Sequence, residues 1–333
     1  MVKKNIVLFC QGGMGDVIMH TPIIRYFRHV YPDDHIVVAG PYSHLFQNNP
    51  NIDEIVSLQS DFTNLYERFV LPGNCRFFKK HFLYDHLHDE AFLKDASTML
   101  EFTCNCYQAE YDGKGLDYFV SEKEAKIADV FLGQYDKPVV LIHATGSIPT
   151  EGQPHKVHGH KDLDFELVSR LIDKYKEQYY FLHIGLQGEP VIPNAIDALG
   201  IPFREAAAMI PKCKTFIAIE SIFAHLSSAF RKTGVVCFMN THKDFFGYPH
   251  NINISVESCD CGIWPCLRPV GALLDLQEGY INPKTRDRVL WKCKDQKCKK
   301  IPFETLEKAF LAAVKRNDPV PVAKTLEEAR KQE

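Results

Sequence analysis

A continuous apolar run, Ile6 to Phe9 within the strand Asn5 to Cys10, meets the turn Gln11-Gly12-Gly13-Met14-Gly15-Asp16, and the segment Val17 to Ile24 follows, carrying Thr21 and Pro22. An apolar run without alternation marks a strand buried on both faces, as in a parallel sheet covered by helices. In such a sheet the turn after a strand opens at the carboxyl edge, where ligands bind. Asp16 is therefore a carboxylate aimed at a crevice, and it is the leading catalytic candidate.

The strand–helix rhythm continues along the chain. Thr21 is placed to cap a helix with Pro22 at its first position, and Ile23, Ile24 and Phe27 supply its apolar face. Strands are predicted over residues 35–41 and 52–58. Residues from about 60 to 110 hold short basic and aromatic pieces such as Arg76-Phe77-Phe78-Lys79-Lys80-His81. They read as an irregular helical insertion, or as an acceptor-recognition surface. A second unit opens near Lys137-Pro138, with strands predicted over 139–143, 179–185, 215–219 and 234–238, a helix over 164–175 and a closing helix over 306–314. The expectation is an α/β protein of two Rossmann-like domains facing a central cleft: residues 1–137, residues 138–315, and a charged tail over 316–333.

Bulk properties narrow the function. A length of 333 residues accommodates two domains with real cores. A formal net charge of −3 gives no global attraction to nucleic acid or to an anionic membrane. No apolar run reaches the length of a membrane span, which leaves peripheral membrane contact as the only kind considered. Met1 to Lys4 looks like the charged start of a signal peptide, but the apolar run after it is short and ends in glycines. Eleven cysteines without a secretion signal point to reduced thiols, and the cytoplasm is the expected location.

The glycine turn is not a dinucleotide fingerprint. Counting from Gly13, Gly15 fits the G-x-G-x-x-G pattern, but Ile18 stands at the third position. A carboxylate at a helix start can also be purely structural, favoured by the helix dipole. A second acid repeats the arrangement: the strand over 215–219 runs into Glu220-Ser221 and the segment Ile222 to Ala229. The free N–H groups of a helix start hold phosphate, and an acid at a strand end accepts from ribose hydroxyls. The bland alternative is a capping acid and a core histidine, His225.

The segment Gly13-Met14-Gly15-Asp16-Val17-Ile18 continuing to Thr21-Pro22, then Tyr31-Pro32, Asn49-Pro50 and Ile52-Asp53-Glu54, resembles glycosyltransferase family 9. These are the ADP-heptose-dependent heptosyltransferases of lipopolysaccharide core synthesis. The segment Glu220-Ser221 to His225-Leu226-Ser227-Ser228-Ala229 is similar to that family's Asp-Ser-Gly-x-x-His-Leu-x-Ala-Ala. The resemblance implies a GT-B fold and inverting sugar transfer from a nucleoside-diphosphate donor, with an ADP-sugar favoured, to a hydroxyl on a glycan or protein. It implies Asp16 as general base and no catalytic metal. Nucleotide-sugar binding falls to Gly13, Met14, Gly15, Thr145, Ser147, Lys161, Glu220, Ser221 and His225, with Lys156 as the rival of Lys161. The sequence departs from the family at Glu220, where the family has Asp, at Ile222, where it has Gly, and at Leu163, where it has Trp. Other readings are a nucleotide-sugar epimerase and a non-catalytic, metal-stapled GT-B subunit.

A late cysteine-rich segment spans residues 259–298. Four thiolates from two short loops hold one tetrahedral metal, and Cys261, Cys266, Cys293 and Cys298 are the favoured ligands, with Cys259 as alternative. The metal is structural Zn or Fe. Similar cysteines in the autotransporter heptosyltransferases hold iron. Reduced thiols without metal are the competing reading. Cys10, Cys213 and Cys237 lie in or beside strands as small apolar fillers.

Overall fold

The computed structural model describes residues 4–57, 62–79, 98–146, 161–239, 241, 243–256 and 300–318. Ser147, Lys156, the metal candidates Cys259, Cys261, Cys266, Cys293 and Cys298, and the tail from 319 onward lie outside the described residues.

The first lobe is a parallel sheet of β1 (Asn5–Phe9), β2 (His35–Gly40), β3 (Glu54–Ser57) and β4 (Cys75–Lys79) in the order β3-β2-β1-β4. Strand β1 is central because Ile6, Val7 and Leu8 are fully buried on both faces. Its exit is tight: a methyl group on Gly40 would lie 2.2 Å from the Cys10 carbonyl oxygen, so only glycine fits there. The turn after β1 leads into α1 (Met14–Ile18) and then α2 (Thr21–Val30).

Two expectations are corrected here. Residues 75–79 were expected in an irregular helical insertion, yet they form β4, paired in parallel with β1 from Asn5↔Cys75 to Phe9↔Lys79. A sheet edge leaves room for Arg76 to stack on Tyr31 and Lys79 on Phe9, so the charges do not forbid a strand. The cap of α2 is His20 rather than Thr21; Thr21 and Pro22 are its first two residues. The Thr21 hydroxyl donates to the Ile18 carbonyl (3.0 Å) and accepts from the Asp117 amide (3.0 Å), tying the joint between α1 and α2 to a distant segment.

Helix α3 (Phe62–Leu65) lies between β3 and β4 in the chain, and α4 (Met99–Cys106) and α5 (Glu122–Leu132) follow the first sheet. The second lobe holds β5 (Val139–His143), α6 (Phe165–Tyr175), β6 (Tyr180–Gly185), β7 (Ile196–Leu199), α7 (Phe203–Met209), β8 (Thr215–Ile219), α8 (Ile222–Phe230), β9 (Val235–Phe238), α9 (Lys243–Phe246), β10 (Ile252–Ser255) and α10 (Phe303–Arg316). Its six strands are parallel in the order β10-β9-β8-β5-β6-β7. Asp164 caps α6 by accepting from the Glu166 amide (2.9 Å). The chain winds one way from β5 to β7 and the other way from β8 to β10. The crevice where the winding reverses, between β5 and β8, is where open sheets of this kind take ligands.

The two lobes pack on one another. Arg204 on α7 pairs with Glu124 on α5 and donates to the carbonyls of Phe119 (2.7 Å) and His44 (3.0 Å). Tyr118 lies edge-on against Phe203 and Phe230. One apolar core runs continuously from Ile6 and Val17 of the first lobe to Phe216 and Leu226 of the second.

Candidate active site

The site is built from the carboxyl edges of three strands: β1 of the first lobe, and β5 and β8 of the second. After β1, Gly12 adopts φ +107, a conformation that glycine alone takes without cost; a methyl there would lie 2.6 Å from Asp16 Oδ2. Gly13 caps α1, and its amide donates to Asp16 Oδ2 at 2.8 Å. The turn thus folds back onto the carboxylate and holds it. Burial pushes the Asp16 carboxyl up to about 6, the nearby charge of Glu220 adds to this, and the Gly13 bond and Lys161 oppose it. A carboxylate poised near neutrality is what a general base requires.

Asp16 on one lobe therefore lies within electrostatic reach of Glu220 and Lys161 on the other. Glu220 ends β8 and pairs with Lys161, which follows β5; their side chains are 12 % and 19 % exposed. Thr241 also donates to Glu220 (3.5 Å). The joint between lobes is closed by His225 on α8. A methyl on Gly15 would lie 2.9 Å from His225 Cδ2 and Nε2, so the glycine before Asp16 makes room for the imidazole of the other lobe. His225 Nδ1 meets the Tyr248 hydroxyl at 2.5 Å. Burial lowers the His225 imidazole to about 4, leaving it neutral at physiological pH.

Gly13, Gly15, Asp16, Lys161, Glu220 and His225 are thus brought together. Met14 is half-buried on α1 and packs against the core. Ser221 caps α8 through its backbone, and its hydroxyl lies 3.1 Å from His143 Nδ1. Thr145 differs in its engagement: it is 1 % exposed, and its hydroxyl donates to Glu189. Sequence reasoning missed Glu189, a 5 % exposed carboxylate that follows β6 and also accepts from the Leu186 amide (3.0 Å). The rule that singled out Asp16 and Glu220, an acid just past an apolar strand, applies equally to Glu189. Tyr248 had no local signal. Among the described residues no group of three or more His, Cys, Asp or Glu is arranged to hold a metal, and no helix is long and apolar enough to cross a membrane.

Two parallel Rossmann-like sheets, one in each of two lobes, are the GT-B class of fold. Solved structures agree. A glycosyltransferase family 9 protein from Veillonella parvula superposes with a TM-score of 0.65 at 15 % identity, covering 94 % of this chain and 98 % of that one. The iron-containing dodecameric glycosyltransferase TibC of enterotoxigenic E. coli gives 0.58 at 14 % identity, over 95 % and 75 % of the two chains. E. coli ADP-heptose lipopolysaccharide heptosyltransferase II gives 0.54 at 15 %, over 82 % and 98 %. The fold is that of the family 9 heptosyltransferases. No family model and no curated protein sequence matches the chain.

Proposed function

We propose that this protein is an inverting glycosyltransferase that moves a sugar from a nucleoside-diphosphate donor to an acceptor hydroxyl. The observation that carries the reading is the convergence of Asp16 from one lobe on the Lys161–Glu220 pair of the other. Asp16 takes the proton of the acceptor hydroxyl as its oxygen attacks the anomeric carbon from the face opposite the leaving diphosphate. Lys161 and the amides at the start of α8 stabilise the charge that develops on that diphosphate. Glu220 holds Lys161 in place before the donor arrives.

ADP-heptose is the donor to test first, because TibC has been solved with ADP-D-beta-D-heptose and heptosyltransferase II is named for the same donor. The acceptor is a glycan or a protein hydroxyl, in a cytoplasmic setting. Calorimetry with ADP, UDP and GDP should give ADP binding; binding of none overturns the reading. Incubation with ADP-heptose should release ADP only when acceptor is present. Isomerisation of the donor with no acceptor would identify an epimerase instead.

Cys261, Cys266, Cys293 and Cys298 hold a structural Fe or Zn, with Cys259 as alternative; their spacing and the iron of TibC support this. Elemental analysis of protein purified without a metal-affinity tag should find about one equivalent of either metal per chain. Only traces of both would remove the metal from the reading.

A further inference from the structure

The helical turn that carries Asp16 is short and ends inside the protein. Helix α1 stops at Ile18 and α2 starts at Thr21, so the last carbonyls of α1 have no partners further along α1. Thr21 meets that of Ile18, and the side chain that meets those of Asp16 and Val17 is His20. Its Nδ1 lies 3.2 Å from the carbonyl oxygen of Asp16 and 3.1 Å from that of Val17. On the far side its Nε2 lies 3.0 Å from the hydroxyl of Tyr107. His20 is fully buried, and Tyr107 is 4 % exposed.

These partners settle the tautomer. Two carbonyl oxygens only accept, so Nδ1 carries the proton and donates it. Nε2 is then the acceptor, and the Tyr107 O–H donates to it. Burial lowers the imidazole to about 4, so a single proton on the ring is its state at neutral pH. Tyr107 is itself fixed: its amide donates to Cys104 at the end of α4, and its ring packs against Phe78 of β4.

The geometry points to His20 and Tyr107 as a positioning pair for Asp16: Tyr107 holds the imidazole of His20 in place through Nε2, and His20, with its proton on Nδ1, pins the backbone of Asp16 at the joint between α1 and α2. Neither residue touches the reacting atoms. Their action is to hold one turn of helix so that the carboxylate stays turned toward the second lobe and stays shielded from water. The groups that face Asp16 from the other elements are Glu220 after β8, Lys161 after β5 and, through Gly15, His225 on α8. None of these is in the His20–Tyr107 pair, so a change at His20 is read separately from them. The consequence for catalysis rests on the function proposed above; the consequence for the carboxyl group of Asp16 does not.

Two measurements on the full chain test this. The first is the nitrogen-15 spectrum of His20 in the wild-type protein, which should show protonated Nδ1 and bare Nε2; the opposite tautomer overturns the inference. The second is a carbon-13 titration of Asp16 in wild type, His20→Leu, His20→Asn and Tyr107→Phe. Asparagine keeps an N–H near the place of Nδ1, and leucine does not. In His20→Leu the Asp16 midpoint should fall from about 6 toward the ordinary carboxylate range, as water reaches the loosened turn. In His20→Asn it should stay where it is. Turnover should fall about ten- to a hundredfold in His20→Leu with KM for the donor little changed, and His20→Asn should recover most of it. An unmoved midpoint in His20→Leu, or equal shifts in the leucine and asparagine variants, overturns the pair's role. Should His20→Leu fail to fold, Tyr107→Phe carries the test: it keeps the imidazole and removes the donor to Nε2, so the Nε2 resonance should move, and an unchanged His20 spectrum sinks the proposal. A wild type that transfers no sugar while Asp16 titrates as described overturns the proposed function and leaves the pair standing. A wild type that turns over and whose His20→Leu variant does so equally well overturns the pair alone.

Discussion

Replacing Asp16 with asparagine should cut turnover by about 10²–10⁴-fold while changing the dissociation constant for ADP by no more than about twofold. Asparagine has nearly the same shape and still offers an oxygen to the Gly13 amide, which now donates to Oδ2 at 2.8 Å. It cannot take a proton from a hydroxyl. The split between turnover and affinity, measured by single-turnover kinetics and calorimetry, is what marks a base rather than a ligand-binding acid. An equal loss in both would move Asp16 out of the chemical step.

The same variant should be more stable than the wild type at neutral pH. The Asp16 carboxyl is raised in the fold from 3.8 to about 6, chiefly by burial. A raised acid leaves stability intact below the unfolded value and removes it as pH climbs through the folded value, since the charged form is the disfavoured one. The penalty above pH 6 corresponds to about 2–3 kcal/mol for a shift of this size. Denaturant melts at pH 5 and pH 8 should therefore show Asp16→Asn gaining on the wild type at both, by about half as much at pH 5 as at pH 8. In the wild type, kcat/KM should fall as pH drops through about 6, as the base takes up its proton.

Lys161→Met should weaken ADP binding by about tenfold or more, because a charge-assisted contact to the diphosphate is lost and the Glu220 carboxylate, whose side chain is 12 % exposed, is left without its cation. It should also push the acid limb of the rate profile to higher pH, since Lys161 holds the Asp16 carboxyl down and Glu220 pushes it up. Glu220→Gln should move the same limb to lower pH. The opposite signs are the useful outcome. Limbs that move together, or not at all, would mean that the acid of the first lobe and the pair of the second do not share a site.

Much of the frame was legible in the chain. The strands β5 and β8 were expected over the residues they occupy, because four or five consecutive apolar side chains with no alternation leave few other folds open. Of the edge strands only β3 was, inside the strand expected over 52–58. β4 carries Arg76 and Lys79, β7 carries Asp197 and β10 carries Asn253. An edge strand buries less, so its side chains need not be apolar, and only its neighbour's backbone reveals it. Helices α5 and α7 escaped as well; Ala206, Ala207 and Ala208 give α7 a buried small-residue face that carries little periodic signal.

The site divides along the same line. Asp16 and Glu220 could be singled out from their places next to strand ends, because local chain order fixes where a strand exit lies in a parallel sheet; Lys161 came from the family resemblance alone. Their meeting could not, and neither could the service of His20, Tyr107, Tyr248 and Glu189. His20 and Tyr107 are 87 residues apart and His225 and Tyr248 are 23 apart, and each pair is joined by a hydrogen bond and an edge-on ring contact. The chain's own pattern dictates two sheets and an acid at the mouth of each, since burial of apolar runs is a local requirement. Which side chains then share a proton, a charge or a close contact depends on how the lobes pack, and packing is a property of surfaces assembled from distant segments.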